Sequence, residues 1–272
     1  MSEEITYAEK LGKLVSFKTV TNINKDQFDA FYEEVRRMFP LVFSKGEFHE
    51  LKCGFYLVFK GKEPGKPILF MNHHDVVEAT GDWKEDPFSG LIKDGVLHGR
   101  GTLDTKGGFF CMFTAMEELL KDGFVPKYDT YLFSTADEEI GGPTAAAITQ
   151  EFYEKGIKFR FILDEGGMIL HDPVGFANGD FAMVGVGEKT CTEIKISCKG
   201  NGGHTSMPPR NTPVIQLAKF ILDIENSKFI EDYDIPSNQM INNHALDSIN
   251  YEKLIENDVL PTTSQITPFQ YE

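Results

Sequence analysis

Three apolar runs in this chain each end in a cluster of acid or imidazole. Pro67–Asn72 (PILFMN) runs straight into His73-His74-Asp75, Thr130–Ser134 delivers Asp137-Glu138-Glu139, and Phe159–Leu163 delivers Asp164-Glu165. Runs this short and continuously apolar suit strands covered on both faces. Helical patterns lie between them, near Phe109–Leu120 and from Pro143 to about Lys155. Strands alternating with helices predict an α/β sandwich with a mainly parallel sheet. In such sheets the active crevice forms at the carboxyl ends of the strands, where these polar clusters fall.

Upstream, Tyr7–Val15 carries Leu11, Leu14 and Val15 at helical spacing. Lys25–Met38 places Phe28, Phe31, Tyr32 and Val35 on one helical face and ends before Pro40, and Gly54–Phe59 reads as a strand. The texture changes near Thr190. Thr190–Cys198 alternates apolar and polar residues, as a half-exposed strand does, and Pro213–Glu225 sets Val214, Leu217, Ile221 and Leu222 on one stripe. The chain therefore divides into a catalytic domain, residues 1–188, and the first part of an α+β domain, residues 189–272. From Glu231 the tail is polar, with one short helical pattern near Tyr251–Ile255.

A net charge of −15 repels phosphate backbones and anionic lipid, which argues against nucleic-acid and membrane partners. No apolar run approaches the ~20 residues that span a bilayer. The opening MSEEITYAEK lacks the basic-then-apolar order of a secretory leader, and Cys53, Cys111, Cys191 and Cys198 form no CxxC pair. Together these features predict a cytoplasmic protein with reduced thiols.

A fourth acid, Asp104, sits in the loop GRGTLDTKGG. Burying several carboxylates is costly unless they are paired or bound to metal. One or two divalent cations would neutralise the whole cluster. One imidazole among several carboxylates suits Zn²⁺, Mn²⁺ or Co²⁺ and disfavours Ca²⁺. In His73-x-Asp75 the two side chains share a strand face, so Asp75 can orient His73 while His74 turns away into packing or solvent. Glu138 and Glu139 are neighbours that point in different directions. One can bind metal while the other faces substrate as a general base. Each piece also has a bland reading: a solvated acidic turn, a satisfied core histidine, a glycine turn. The recurrence of all of them after apolar strands favours a site.

The runs FMNHHDVVEA, HGRGTLDTKGG, TADEEIGG, LDEGG and GGHTSMPP together resemble a known family. It is that of the di-zinc exopeptidases and amidohydrolases, which includes aminoacylase, carboxypeptidase S, glutamate carboxypeptidase and succinyl-diaminopimelate desuccinylase. The DEGG and GHTSMPP forms look closest to the carboxypeptidase S branch. The likeness covers roughly residues 1 to 225, and Asn72 departs from the glycine usual before the histidine.

The resemblance implies an α/β/α catalytic sandwich and a ferredoxin-like second domain used for dimerisation or as a lid. It implies that His73 and Glu165 bind one Zn²⁺, Glu139 binds the other and Asp104 bridges both, with Asp164 the competing choice for Glu165. Asp75 would brace His73, and Glu138 would move a proton from the attacking water to the leaving amine. A non-proline cis peptide is expected at Asp104-Thr105. His204 would reach the active site of the partner subunit in a homodimer and stabilise the oxyanion. The implied substrate is a small peptide or an N-acyl amino acid.

Family members supply a last histidine ligand after the second domain. Here His244, in a polar stretch, is the only histidine beyond His204 and reads as a surface residue. On this count one zinc keeps His73, Asp104 and Glu165, while the other keeps Asp104 and Glu139 alone. The sequence thus predicts a C-terminally truncated member, weakly active or inactive by itself. The alternative to a working hydrolase is a remnant that retains the fold and at most one metal.

Overall fold

The computed structural model describes residues 6–21, 25–172, 179–186, 194–204, 206–207, 209–227, 230–231 and 264–265. They fall into two compact units, Met1–Glu165 and Gly166–Glu272. That break precedes the boundary near residue 188 read from the sequence.

In chain order the strands of the first unit are β1 (Glu47–Leu51), β2 (Gly54–Phe59), β3 (Ile68–His73), β4 (Ile92–Lys93), β5 (Val96–Leu97), β6 (Thr130–Thr135) and β7 (Phe161–Leu163). The short β4 and β5 pair with each other, and the rest form one sheet in the order β1-β2-β6-β3-β7. Strand β2 is antiparallel to β1 and β6, whereas β3 is parallel to both β6 and β7. Four of the five strands therefore point the same way, and the sheet is mainly parallel.

Side-chain alternation builds a core on each face. Phe55, Leu57 and Phe59 of β2 join Leu132 of β6 under four helices, α1 (Tyr7–Val15), α2 (Lys25–Met38), α3 (Pro40–Lys45) and α4 (Lys106–Lys121). Tyr56, Val58, Leu69, Tyr131 and Phe133 face the other way, against Ile148 and Phe152 of α5 (Pro143–Glu154). The result is a three-layer α/β/α sandwich.

Local chemistry sets the helix starts. Helix α1 opens on a capping box in which Thr6 Oγ1 accepts from Glu9 N at 3.3 Å and Glu9 Oε2 accepts from Thr6 N at 2.7 Å. Pro40 ends α2 as expected. It then begins α3, because proline lacks only an N–H that a first turn leaves unused. The Glu117 carboxylate accepts the next two amides, from Leu41 at 3.1 Å and Val42 at 2.9 Å. At the β1–β2 hairpin, Gly54 has a φ of 120°, and a Cβ there would collide with Ser134 O.

In the second unit, β8 (Met168–His171) and β9 (Asp180–Met183) form an antiparallel hairpin. Helix α6 (Pro213–Glu225) begins at Thr212, whose hydroxyl accepts from Ile215 N at 3.3 Å. The two-residue strands β10 (Ile230–Glu231) and β11 (Ser264–Gln265) pair with each other. The strand expected over Thr190–Cys198 is not formed by its described part, residues 194–198, and its first residues lie outside the described set. So do His244, Cys191 and the helical pattern at Tyr251–Ile255. Among the described residues no helix is long and apolar enough to cross a membrane.

One charge-bearing residue is fully enclosed in the first core. Lys106, at the start of α4, donates from Nζ to Leu14 O at 3.1 Å and Phe17 O at 2.6 Å. Burial pushes its ammonium down to about 7, and a neutral amine still has an N–H for each carbonyl. The unfolded chain holds this proton up to the ordinary lysine range, so between those values it binds more protons than the folded chain. Stability from this group therefore rises with pH through that window. Lys106→Met is expected to flatten the rise. Urea midpoints of both proteins at about pH 7 and 9 check it, and parallel slopes would sink the assignment.

Candidate metal centre

The parallel pairing His73↔Thr135 and Phe70↔Leu163 brings the carboxyl ends of β3, β6 and β7 to one edge. His73 closes β3, the turn Glu138–Ile140 follows β6, and Asp164-Glu165 follows β7. Asp104 arrives from the loop before α4, through a cis Asp104–Thr105 peptide of the kind the resemblance implied.

His73 is the hub, with 2% of its surface exposed. Its Nε2 lies 3.0 Å from Glu165 Oε2, 3.1 Å from Asp104 Oδ1 and 3.7 Å from Glu138 Oε2. On the other side, Nδ1 is 3.0 Å from Asp75 O and 3.3 Å from Asp75 Oδ1. Burial alone would discharge this imidazole. Hydrogen bonds to Asp75 and Glu165 and the charges of those acids outweigh it and lift His73 to about 11. The acids thus converge on a point that demands positive charge.

A divalent cation fits that demand. Ligand atoms from His73, Asp104 and Glu165 all lie within 4.8 Å of one another. Two atoms each ~2.1 Å from one tetrahedral ion sit roughly 3.4 Å apart, so small side-chain rotations suffice. Three protein ligands would leave a tetrahedral ion one open position, and one imidazole with two carboxylates suits Zn²⁺, Co²⁺ or Mn²⁺.

The two adjacent glutamates are held by Asp75. Glu138 N donates to Asp75 Oδ1 and Glu139 N to Asp75 Oδ2, both at 3.2 Å. Burial raises the Glu138 carboxyl, with Glu165, Asp75 and Asp104 adding to the effect against the charge of His73. Burial likewise raises Glu139, followed by the charge of Asp104. Glu139 does not belong to the group of three that shares one ligand point. Asp164 is exposed, and its Oδ1 accepts from Glu165 N at 2.9 Å.

His74 turns to the opposite face. Its Nδ1 is 2.7 Å from Ser134 Oγ and its Nε2 2.9 Å from Tyr32 OH, with the ring stacked on Phe31 at 5.2 Å. Burial holds it neutral. Asp137, grouped with the acids in the sequence, instead caps α5: its Oδ2 accepts from Thr144 N at 3.2 Å and Thr144 Oγ1 at 2.6 Å. His204 lies in the second unit, exposed, with Nδ1 2.8 Å from Ser206 Oγ. Two contacts escaped the sequence reading. Thr21 Oγ1 donates to Asp75 Oδ2 at 2.6 Å, and Asn72 Nδ2 donates to Thr105 Oγ1 at 3.2 Å. Both pairs are far apart in sequence, and no local pattern announces them.

A mainly parallel α/β sandwich with an imidazole–carboxylate pocket at its strand ends defines a class of divalent-metal proteins. Residues 69–265 match peptidase family M20/M25/M40. The chain belongs to this family, whose members are metal-dependent hydrolases.

Relatives include "Probable carboxypeptidase S-like 2" of Dictyostelium discoideum, 35% identical over 82% of this chain and 46% of that protein. The "N-fatty-acyl-amino acid synthase/hydrolase PM20D1" of Homo sapiens is 32% identical over 83% of this chain and 47% of its own length. "Carboxypeptidase S" of Saccharomyces cerevisiae is 30% identical over 93% and 47%. The chain thus spans about half the length of these relatives. Among solved structures, the M20 family metallo-carboxypeptidase Sso-CP2 from Sulfolobus solfataricus shares the fold at a TM-score of 0.50. It is 20% identical, over 63% of this chain and 40% of that one.

Glu165→Gln is expected to weaken Co²⁺ binding at least roughly 10-fold, whereas Asp164→Asn leaves it unchanged. Isothermal titration of both variants checks the pair, and equal losses would reject the geometry.

Proposed function

We propose that this chain holds the metal-binding machinery of a hydrolase that cleaves amide bonds in small peptides or N-acyl amino acids. The observation that carries the reading is the convergence of Asp104, Glu165 and Glu138 on His73 Nε2. The substrate class rests on the names of the relatives, a carboxypeptidase and an N-fatty-acyl-amino acid synthase/hydrolase.

His73, Asp104 and Glu165 would hold one ion, and Asp104 with Glu139 would contribute to a second. Zn²⁺ suits the donors best, with Co²⁺ or Mn²⁺ as substitutes. Bound there, the ion supplies Lewis-acid chemistry to a scissile carbonyl and makes nearby water more acidic. Glu138 is the proton carrier. Burial, with the charges of Glu165, Asp75 and Asp104, raises its carboxyl and so strengthens it as a base. It would accept the proton of the attacking water at an Oε and hand it to the departing nitrogen. Asp75 keeps the His73 ring oriented with Nε2 toward the acids. The exposed His204 suits a donor to the oxyanion in the partner subunit of a homodimer.

Glu138→Gln is expected to lower turnover of dipeptides or N-acyl amino acids by roughly 100- to 10,000-fold while Co²⁺ still binds. Assays with excess Zn²⁺ or Co²⁺ check this against the unaltered chain. If the unaltered chain binds the ion yet turns over no faster than the blank, the non-catalytic reading stands in place of this one.

A further inference from the structure

The Asp75 carboxylate is fully buried, and every hydrogen bond it makes has a consequence for the site. Oδ1 faces His73 Nδ1 at 3.3 Å and takes Glu138 N at 3.2 Å, while Oδ2 takes Glu139 N at 3.2 Å. These three contacts are long. The fourth is the hydroxyl of Thr21, at 2.6 Å from Oδ2, the length of a charge-assisted O–H···O⁻ bond.

We propose that Thr21 is a positioning residue of the metal centre, its hydroxyl locking the Asp75 carboxylate that aims both His73 and the Glu138–Glu139 turn. The proposal rests on the metal-centre reading above. Torsion of Asp75 about its side chain would move one oxygen away from each glutamate amide and Oδ1 away from the imidazole, leaving His73 Nδ1 held by Asp75 O at 3.0 Å alone. The Thr21 bond is the shortest restraint against that torsion, and it comes from an element outside the three strand ends.

Thr21 is itself well placed for the task. Its segment pairs alongside the chain that continues from β3: Val76 N donates to Thr19 O at 2.9 Å, Thr21 N to Val76 O at 3.4 Å, and Val20 bridges Val76 in parallel. Thr19 Oγ1 adds a bond to His74 O at 2.6 Å. Just upstream, the Lys106 amine grips Leu14 O and Phe17 O from a position two residues after Asp104. The chain from Leu14 to Thr21 is thus tied both to the strand that carries His73 and to the loop that carries Asp104.

The test uses the full chain and Co²⁺ as probe, with affinity read by visible absorption against a competing chelator. Thr21→Val is expected to lower Co²⁺ affinity roughly 10- to 100-fold, the size of effect seen when a ligand's supporting partner is lost. Thr21→Ser, which keeps the hydroxyl, retains the affinity of the unaltered chain. Thr19→Val removes an anchor of the same segment without touching Asp75. It is expected to lower the melting temperature in chelator and to cost clearly less Co²⁺ affinity than Thr21→Val. Undiminished affinity in Thr21→Val, or an equal loss in Thr19→Val, overturns the proposal. An unaltered chain that binds no Co²⁺ overturns the metal-centre reading itself, and this proposal with it.

Discussion

Asp75 is a carboxylate with none of its surface exposed, and the arrangement of the site follows from how that charge is satisfied. Withdrawing an ionised carboxylate from water is tolerable only when its lone pairs are filled by well-placed donors. Here the donors belong to separate parts of the chain: an N-terminal hydroxyl, an imidazole two residues away, and two amides of a turn after a different strand. Satisfying one buried charge therefore fixes the relative positions of the ligand strand and the turn that bears the base. In this fold, the same bonds that make Asp75 tolerable define the centre.

The outer ring of acids is the converse case. Asp104, Glu138 and Glu165 crowd one imidazole nitrogen, and burial with mutual repulsion raises the carboxyl of Glu138. Despite its burial, the hydrogen bonds and charges of Asp75 and Glu165 raise His73 well above its usual range. A metal ligand must be neutral, so ion and proton compete for the same nitrogen. Glu138 and its neighbouring acids repel one another, whereas a cation beside Nε2 would attract all of them, so the arrangement suits a cation receptor. That asymmetry separates a receptor of this kind from an ordinary surface cluster of acids.

How far the sequence revealed this depended on whether each signal was local. Strands β3 and β6 and helices α2 and α6 were legible to within a residue, because continuous apolar runs and helical stripes are properties of neighbouring residues. The acid and imidazole clusters holding His73, Asp104 and Glu165 were legible because each follows an apolar run or sits in a glycine-rich turn, whereas their grouping around one point came from the resemblance alone. Strand β1 and helix α3 were not. EFHEL gains its strand from pairing with β2, and PLVFSK gains its first-turn acceptors from Glu117, far along the chain. Between Asp164 and Glu165 the resemblance favoured Glu165 and left Asp164 as a competitor, and Glu165 is the one beside His73. Neighbouring residues on a strand end face opposite ways, and only the pairing of β7 with β3 decides which faces His73.

Asn72 shows the same division within a single residue. Against the resemblance it stands out as a departure, an amide where glycine is usual, and sequence gives it no purpose. In space it points to the α4 side and donates to Thr105 Oγ1, one residue beyond Asp104. The room for it comes from Gly108, where a Cβ would lie 2.7 Å from Asn72 Nδ2 and 3.0 Å from Thr105 Oγ1. A side chain added on the strand is thus accommodated by one missing on the helix, and the space between them carries a hydrogen bond to the loop of Asp104. Among the described residues Asn72 Oδ1 has no hydrogen-bond partner, which costs roughly 1–3 kcal/mol where water does not supply one. The bond that Nδ2 does make ties the strand ending in His73 to the residue that follows Asp104, so two of the elements bearing candidate ligands are joined through this one side chain.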